Sequence, residues 1–423
     1  MNVAANKIVR TYVSLTLLST FASSFIWGIN TLFLLDAGLS ITEAFAANAF
    51  FTAGQVLFEI PTGVVADTRG RRTSFLLGTG TLFATTLLYL WLWDIKGPFW
   101  AWAVVSALLG LGFTFYSGAT EAWLVDGLNS AGYKGALDDV FAKGSIASGI
   151  AMLTGTVAGG LVAQFSSLGV PYIMRIVALA MTFVIAFLMM HDDGFETKKK
   201  TTFLGEVRDI VSESVEFGFK NSAIRWMMLS SVFYGGVAIF AFYAMQPYLL
   251  ELYGTTGGYA IAGISAAIVA GAQILGGVLV PHIGKVFKKR TTFLIAGVIV
   301  ISLALLLIGL VGNFWLVLVL LTIWSLVFAF IAPIRQAYVN GIVPSKQRAT
   351  ILSADNLLGS AGGVVSQPGL GKIAEVWGYP ASYLGSAAFQ ILALPFLLLA
   401  KLKNAESDEI KGNEISSPVA DPK

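Results

Sequence analysis

Apolar residues do not alternate with polar ones along this chain; they run together. The stretches Thr11 to Leu35, Thr73 to Trp93, Pro98 to Thr120, Thr291 to Gly312 and Phe314 to Ile334 carry no charged side chain. Each reaches the roughly 20 residues that an α-helix needs to cross a ~30 Å hydrocarbon core. Breaking the chain at charge clusters, Gly-Pro points and polar turns predicts spans near 11–36, 41–66, 73–94, 98–127, 137–165 and 170–190. A second set falls near 222–252, 258–283, 290–311, 313–341, 346–375 and 379–401. The expected fold class is an all-α integral membrane protein with twelve transmembrane helices. Met1 to Arg10 has a basic start, but the apolar run behind it is too long for a signal peptide and lacks a small-residue cleavage pattern, so it reads as the first span.

The halves repeat. Gly63-Val64-Val65 followed by Arg71-Arg72-Thr73 echoes Gly277-Val278-Leu279 followed by Lys289-Arg290-Thr291. Phe113-Thr114-Phe115 with Ala122-Trp123 echoes Phe328-Ala329-Phe330 with Ala337-Tyr338, and Gly155 to Gly160 echoes Gly359 to Gly363. The three matches keep their order at a displacement of roughly 205 to 215 residues, the mark of a duplicated bundle with a site between its halves. The expected organisation is two pseudo-symmetric six-helix bundles, 1–190 and 222–401. Between them lies a linker, 191–221, where Phe203, Val207, Ile210, Val211, Val215 and Phe217 recur at near-helical spacing, as in an amphipathic helix on a membrane surface. The polar stretch 402–423, with Pro418 and Pro422, reads as a disordered tail.

Composition narrows the function classes. Hydrophobic residues make up 56% of the 423 and charged ones 12%, which no polar shell around an apolar core can accommodate. Gly numbers 45 without low-complexity runs, as close helix packing in lipid favours. A net charge of +3 could suggest nucleic acid, but the basic residues sit in short loops and set topology instead. With no Cys, thiolate chemistry, disulfides and zinc-thiolate sites are excluded; with only His191 and His282, both beside basic loops, no histidine metal cluster is expected, nor any metal, cofactor or enzyme activity.

Arg69, Arg71, Arg72, Lys134, Lys198 to Lys200, Lys285, Lys288 to Arg290, Lys346 and Arg348 share one side, against little beyond Lys96 and Lys372 on the other. Both termini and the central segment are therefore expected in the cytoplasm, with the protein in the inner or plasma membrane.

Gly63-Val64-Val65-Ala66-Asp67-Thr68-Arg69-Gly70-Arg71-Arg72 resembles the loop signature of the major facilitator superfamily, Gly-x-Leu-Ala-Asp-Arg-x-Gly-Arg-Arg/Lys. Thr68 and Val65 depart from it, and Arg69 can supply the displaced charge. On the residues alone, Gly63 permits close helix contact, Gly70 permits a tight turn, and Asp67 can cap a helix or pair with Arg71 as a latch. The resemblance adds Asp126, at the end of the fourth span, as the acidic partner of the loop arginine. The alternative is a set of arginines that only fix topology. Gly155-Thr156-Val157-Ala158-Gly159-Gly160 is similar to the end of a Gly-Pro-x-x-Gly-Gly signature of proton-driven exporters, with Thr156 in place of the proline; ordinary small-residue packing is the other explanation.

A charge inside a span costs at least about 2.5 kcal/mol, so each one is a functional candidate. Glu59, Glu121, Asp126, Arg335 and Asp355 all lie within spans. Glu121 and Arg335 occupy nearly equivalent repeat positions, and the fold implied by the resemblance turns their helices toward one cavity. They are the expected proton-linked carboxylate and its cationic partner, the alternative being a structural salt bridge. Glu59, before Pro61, suits gating. Asp355 reads as a hydrated helix-start charge, and Asp36, Arg175 and Glu251 as boundary charges. The resemblance also implies a substrate cavity lined by the first, fourth, seventh and tenth spans, which carry Trp27, Asn30, Tyr116, Trp123, Tyr234, Tyr243, Gln246 and Tyr338, with Phe113, Phe240 and Phe328. Many aromatics and few charges suit a lipophilic, neutral or cationic small molecule. The implied function is secondary transport by alternating access, led by a proton-coupled exporter. The alternatives are a proton-coupled or facilitative importer and a non-transporting membrane sensor. The implied partners are a small-molecule substrate, protons and the bilayer, with the chain a monomer.

The charge asymmetry predicts that green fluorescent protein fused after Lys423 fluoresces while alkaline phosphatase fused there is inactive. Active phosphatase at that position would reverse the orientation.

Overall fold

The computed structural model describes residues 3–116, 118–195, 205, 212, 218–254, 258–343 and 347–410. Among these residues every regular element is helical apart from a bridge between Lys289 and Glu409. In order the α-helices are α1 Val3–Trp27, α2 Asn30–Asp36, α3 Ile41–Arg69, α4 Arg71–Asp94, α5 Phe99–Thr114, α6 Ala119–Ser130, α7 Leu137–Phe165 and α8 Gly169–Met189. They continue as α9 Ser222–Tyr253, α10 Tyr259–Leu279, α11 Arg290–Leu310, α12 Phe314–Asn340, α13 Arg348–Ile391 and α14 Ala393–Lys401.

Ten helical stretches among the described residues are long and apolar enough to cross a membrane, and α1 with α2 forms an eleventh, bent by 49°. The stretch Thr350–Lys401 is 52 residues long, and Gly378 inside it takes φ 84°, ψ 166°, so it holds two span-length pieces. Local chemistry fixes several boundaries. Ser40 and Glu43 form a capping box at the start of α3, and Asn313 Oδ1 accepts the Leu316 amide at 3.1 Å to start α12. The amphipathic helix expected in the linker lies outside the described residues.

By contacts the chain divides into two compact units, Met1–Val207 with Phe242–Ala267, and Arg208–Ala241 with Ile268–Lys423. A boundary at the central segment alone would leave Phe242–Ala267 with the second half; its contacts place it with the first.

Each unit packs through glycine at equivalent repeat positions. In the first, α7 lies against α1: a Cβ on Gly159 would sit 1.9 Å from the Phe25 carbonyl oxygen, and one on Gly155 2.7 Å from Ser24 Cβ. In the second, α13 lies against α9, where a Cβ on Gly362 would sit 2.0 Å from the Val232 carbonyl oxygen. The Phe25 and Val232 contacts are to backbone and cannot yield by a rotamer change. Gly63 does not behave as expected: it is exposed, and an added Cβ there would meet no heavy atom within 4 Å, as at its counterpart Gly277.

Large apolar side chains cover the outside, including Leu57, Ile146, Val177, Leu188 and Leu303. Trp91, Trp100, Trp315 and Trp377 are exposed at helix ends away from the basic loops, where amphipathic rings match a lipid headgroup layer.

Gly159→Val and Gly362→Val are each expected to destabilise by about 3 kcal/mol or more, the upper range for overpacking against backbone. Gly63→Ala is expected to hold or gain stability. Thermal unfolding of the purified variants, followed by size-exclusion chromatography, separates the two classes.

Candidate functional site

The buried charges inside the spans lie at two cavities, one within each unit. In the second unit Arg335 lies on α12 and Asp355 about two turns into α13, and both are buried. Arg335 Nε donates to Asp355 Oδ2 at 2.7 Å and Nη2 donates to Asp355 Oδ1, a bidentate pair. The remaining donors reach α9, Nη1 to Ser230 Oγ at 2.9 Å and Nη2 to the Met227 carbonyl at 2.5 Å. The guanidinium carbon is 5.1 Å from the centre of the Tyr234 ring. One guanidinium therefore ties three helices. A cavity of about 270 Å³ opens beside it, lined by Tyr234, Phe328, Arg335 and Asp355 among others.

Arg335 was expected to partner Glu121, and the structure gives it Asp355 instead. Asp355 is not a hydrated helix-start charge, because α13 begins at Arg348 and carries it inward between α9 and α12. Glu121 is exposed in the first turn of α6. Glu59 is half-buried on α3, two residues before Pro61.

The first unit's cavity is smaller, about 40 Å³, and Trp27, Asn30, Phe113 and Tyr243 line it together with Asn48 and Arg175. It lies beside the break between α1 and α2. Gln246 of α9 repairs that break: its Nε2 donates to the Trp27 carbonyl at 2.7 Å and its Oε1 accepts the Thr31 amide at 2.9 Å. A broken span is stable in hydrocarbon only when its freed backbone groups find such partners. Gln246 thus serves the backbone rather than lining the cavity. Arg175, expected as a boundary charge, is only 1% exposed. The signal that could have found it is plain, since it is the sole charge between Val170 and Met190.

Three other cavity candidates are held elsewhere. Tyr116 bonds Thr79 at 2.9 Å. Trp123 is buried, with Nε1 donating to the His191 carbonyl at 2.7 Å; Tyr338 is buried too, and its carbonyl accepts Ser407 Oγ at 2.9 Å. These two repeat-equivalent residues, Trp123 through its ring and Tyr338 through its carbonyl, hold the segments that follow the last span of each half.

The loop between α3 and α4 closes on acidic side chains. Arg71 Nη1 lies 2.7 Å from Asp67 Oδ1, and Arg71 Nε lies 4.0 Å from Asp126 Oδ2. Gly70 takes φ 101°, and a Cβ there would fall 2.2 Å from Asp192 Oδ2. Asp192 Oδ1 accepts the Arg72 amide at 2.8 Å, while Arg72 Nη2 donates to the Phe187 carbonyl at 2.7 Å.

The second half repeats this device. Asp408 accepts the Thr291 amide at 2.7 Å and the Thr291 hydroxyl at 2.8 Å, and Arg290 Nη1 donates to the Ser407 and Glu409 carbonyls. The region expected to be a disordered tail from 402 onward is therefore docked through 410, with Asp408 buried. The reason is electrostatic and local: the first amides of a helix need acceptors, and a carboxylate arriving from the chain's end supplies them.

A family profile of the Major Facilitator Superfamily matches residues 12–366 and 284–421. The chain belongs to that superfamily. It is a multi-pass membrane protein and a secondary transporter, not an enzyme. No curated protein sequence matches it. Among solved structures, the nucleoside transporter NupG superposes with a TM-score of 0.77 at 13% identity, over 94% of this chain and 99% of that one. A peptide transporter POT in complex with sulfate gives 0.76 at 13% identity, over 95% and 96%. A D-xylose-proton symporter gives 0.70 at 15% identity, over 93% and 97%. At these identities the likeness is one of fold. Among the described residues no group of three or more His, Cys, Asp or Glu could hold a metal ion.

Asp408→Ala is expected to lower stability by about 1 to 3 kcal/mol, the range for losing a buried charged acceptor, and Asp408→Asn by less because one oxygen remains. Truncation after Lys403 should match Asp408→Ala in thermal unfolding. Unchanged melting in the truncated protein would show that the docked segment contributes nothing.

Proposed function

We propose that this superfamily transporter is a proton-coupled exporter of small organic compounds, working by alternating access in the plasma membrane with both termini in the cytoplasm. The carrying observation is the buried Arg335–Asp355 pair at the edge of the larger cavity. When Asp355 is charged, it holds α12 and α13 together through two charge-assisted bonds. When it takes a proton, the attraction falls to that of a neutral acceptor and the guanidinium keeps only its α9 contacts. The packing of three helices thereby depends on one proton, which is what coupling requires. Glu121 is exposed and leaves this role to Asp355.

Export is supported by the character of that cavity. Tyr234, Phe328, Ile331 and Leu352 give it an aromatic and aliphatic side that accepts varied lipophilic shapes, while Ser231, Gln336, Asn356 and Ser360 line the rest beside the ion pair. The glycines similar to the exporter signature add little, since Gly155 and Gly159 serve the contact of α7 with α1 and Gly362 does the same in the other unit. The contacts of Arg71 with Asp67 and Asp126 support a latch at this loop. Each unit encloses its own cavity, which supports a monomer as the working form.

Everted vesicles holding a pH gradient test this. Addition of an exported compound from a panel of lipophilic cations, neutrals and acids should collapse part of the gradient. Asp355→Asn should abolish the response, Asp355→Glu should keep part of it, and Glu121→Gln should leave it. Uptake in whole cells with no vesicle response would make the protein an importer, and an intact response in Asp355→Asn would move the proton site.

A further inference from the structure

Arg175 lies deep in α8, only 1% exposed, and among the described residues its guanidinium has no carboxylate within 4.0 Å. Its Nε donates to Thr86 Oγ1 at 3.1 Å, Nη1 makes a long contact of 3.5 Å to the Ala22 carbonyl, and Nη2 is buried with no partner. The groups near it are aromatic: the Phe113 ring centre is 5.9 Å away, and Tyr89 and Tyr243 line the same cavity. An arginine does not shed its proton in a protein, so an enclosed guanidinium of this kind retains its charge and requires an anion.

A second unpaired donor points to the same cavity. Tyr172 O–H donates to Asn30 Oδ1 at 2.9 Å, and Asn30 Nδ2 donates to Asn48 Oδ1 at 3.1 Å. In this arrangement the Asn48 Nδ2 is left, buried and without a partner, as a donor. Asn48 and Arg175 both line the cavity of about 40 Å³. That is a few times the space of one water and matches a planar carboxylate. One cation with one amide suits a single negative charge, not a phosphoryl dianion.

We propose that this cavity binds the carboxylate of the transported compound, one oxygen facing Arg175 Nη2 and the other Asn48 Nδ2, with an apolar body against Trp27, Phe51 and Phe113. The substrate class becomes lipophilic monocarboxylates, anions in place of the neutral or cationic compounds that the aromatic spans suggested. This rests on the reading of the chain as a carrier of organic compounds, but binding is measured apart from direction and proton coupling. A free inorganic anion such as chloride offers the same charge, and the test separates the two.

Purified protein in nanodiscs and chloride-free buffer is melted with acetate, butyrate, benzoate, the matching amides, or chloride. At least one carboxylate should raise the melting temperature by several degrees while its amide and chloride do not. Arg175→Gln should lose the shift. Asn48→Asp is the variant that does not depend on removing a buried charge: its carboxylate pairs with Arg175, so it should melt higher without ligand and lose the shift. The proposal fails if no carboxylate shifts the wild type, if chloride alone reproduces the shift and marks a counter-ion site only, or if Asn48→Asp keeps it.

Discussion

Inside a hydrocarbon layer no water is at hand to satisfy a polar group, and much of this structure follows from that constraint. Hydroxyls turn back onto their own helices: Thr11, Ser24, Thr79 and Thr182 each donate to the carbonyl four residues earlier. The interrupted span of α1 and α2 survives because Gln246 supplies both a donor and an acceptor across the gap. Arg335 can be buried because Asp355, Ser230 and Met227 take up its donors. Arg175 Nη2 and Asn48 Nδ2 are among the buried atoms left without a partner, and because they line one cavity a ligand is sought there.

Close packing answers a second consequence of the same solvent. Hydrophobic association between helices weakens when the surroundings are as apolar as the helices, so contact area and backbone proximity have to substitute. Gly155, Gly159 and Gly362 bring α7 onto α1 and α13 onto α9 at repeat-related positions. The duplication extends past the spans. Asp192 and Asp408 each return from the segment after a half's last span to cap the start of α4 and of α11, and Trp123 and Tyr338 touch those same segments. Within this frame the Arg335–Asp355 pair is the contact through which one guanidinium ties α9, α12 and α13.

The spans were legible because length and lack of charge are properties of the chain itself. The Asp67, Arg71 and Asp126 cluster was legible because a loop signature keeps its spacing. The partner of Arg335 was not: repeat alignment placed Glu121 opposite it in sequence terms, whereas only the rotation of α13 shows Asp355 facing α12. Arg175 was visible as a lone charge in an apolar span, yet whether it met lipid headgroups or the unit's interior depended on which way α8 is turned. Where both faces of a helix are apolar, periodicity gives little indication of that rotation.

Sequence by itself determined the solvent of this protein, the number and limits of its spans, their duplication and the charge asymmetry of its loops, because the cost of moving charge and backbone into hydrocarbon is set residue by residue. Tertiary structure alone decided which buried groups meet. It joined Asp355 to Arg335, sent Gln246 to the broken span, docked Asp408 on α11, and left Arg175 and Asn48 facing one small cavity, because contacts between helices depend on rotation and close approach, which a linear order of residues does not contain.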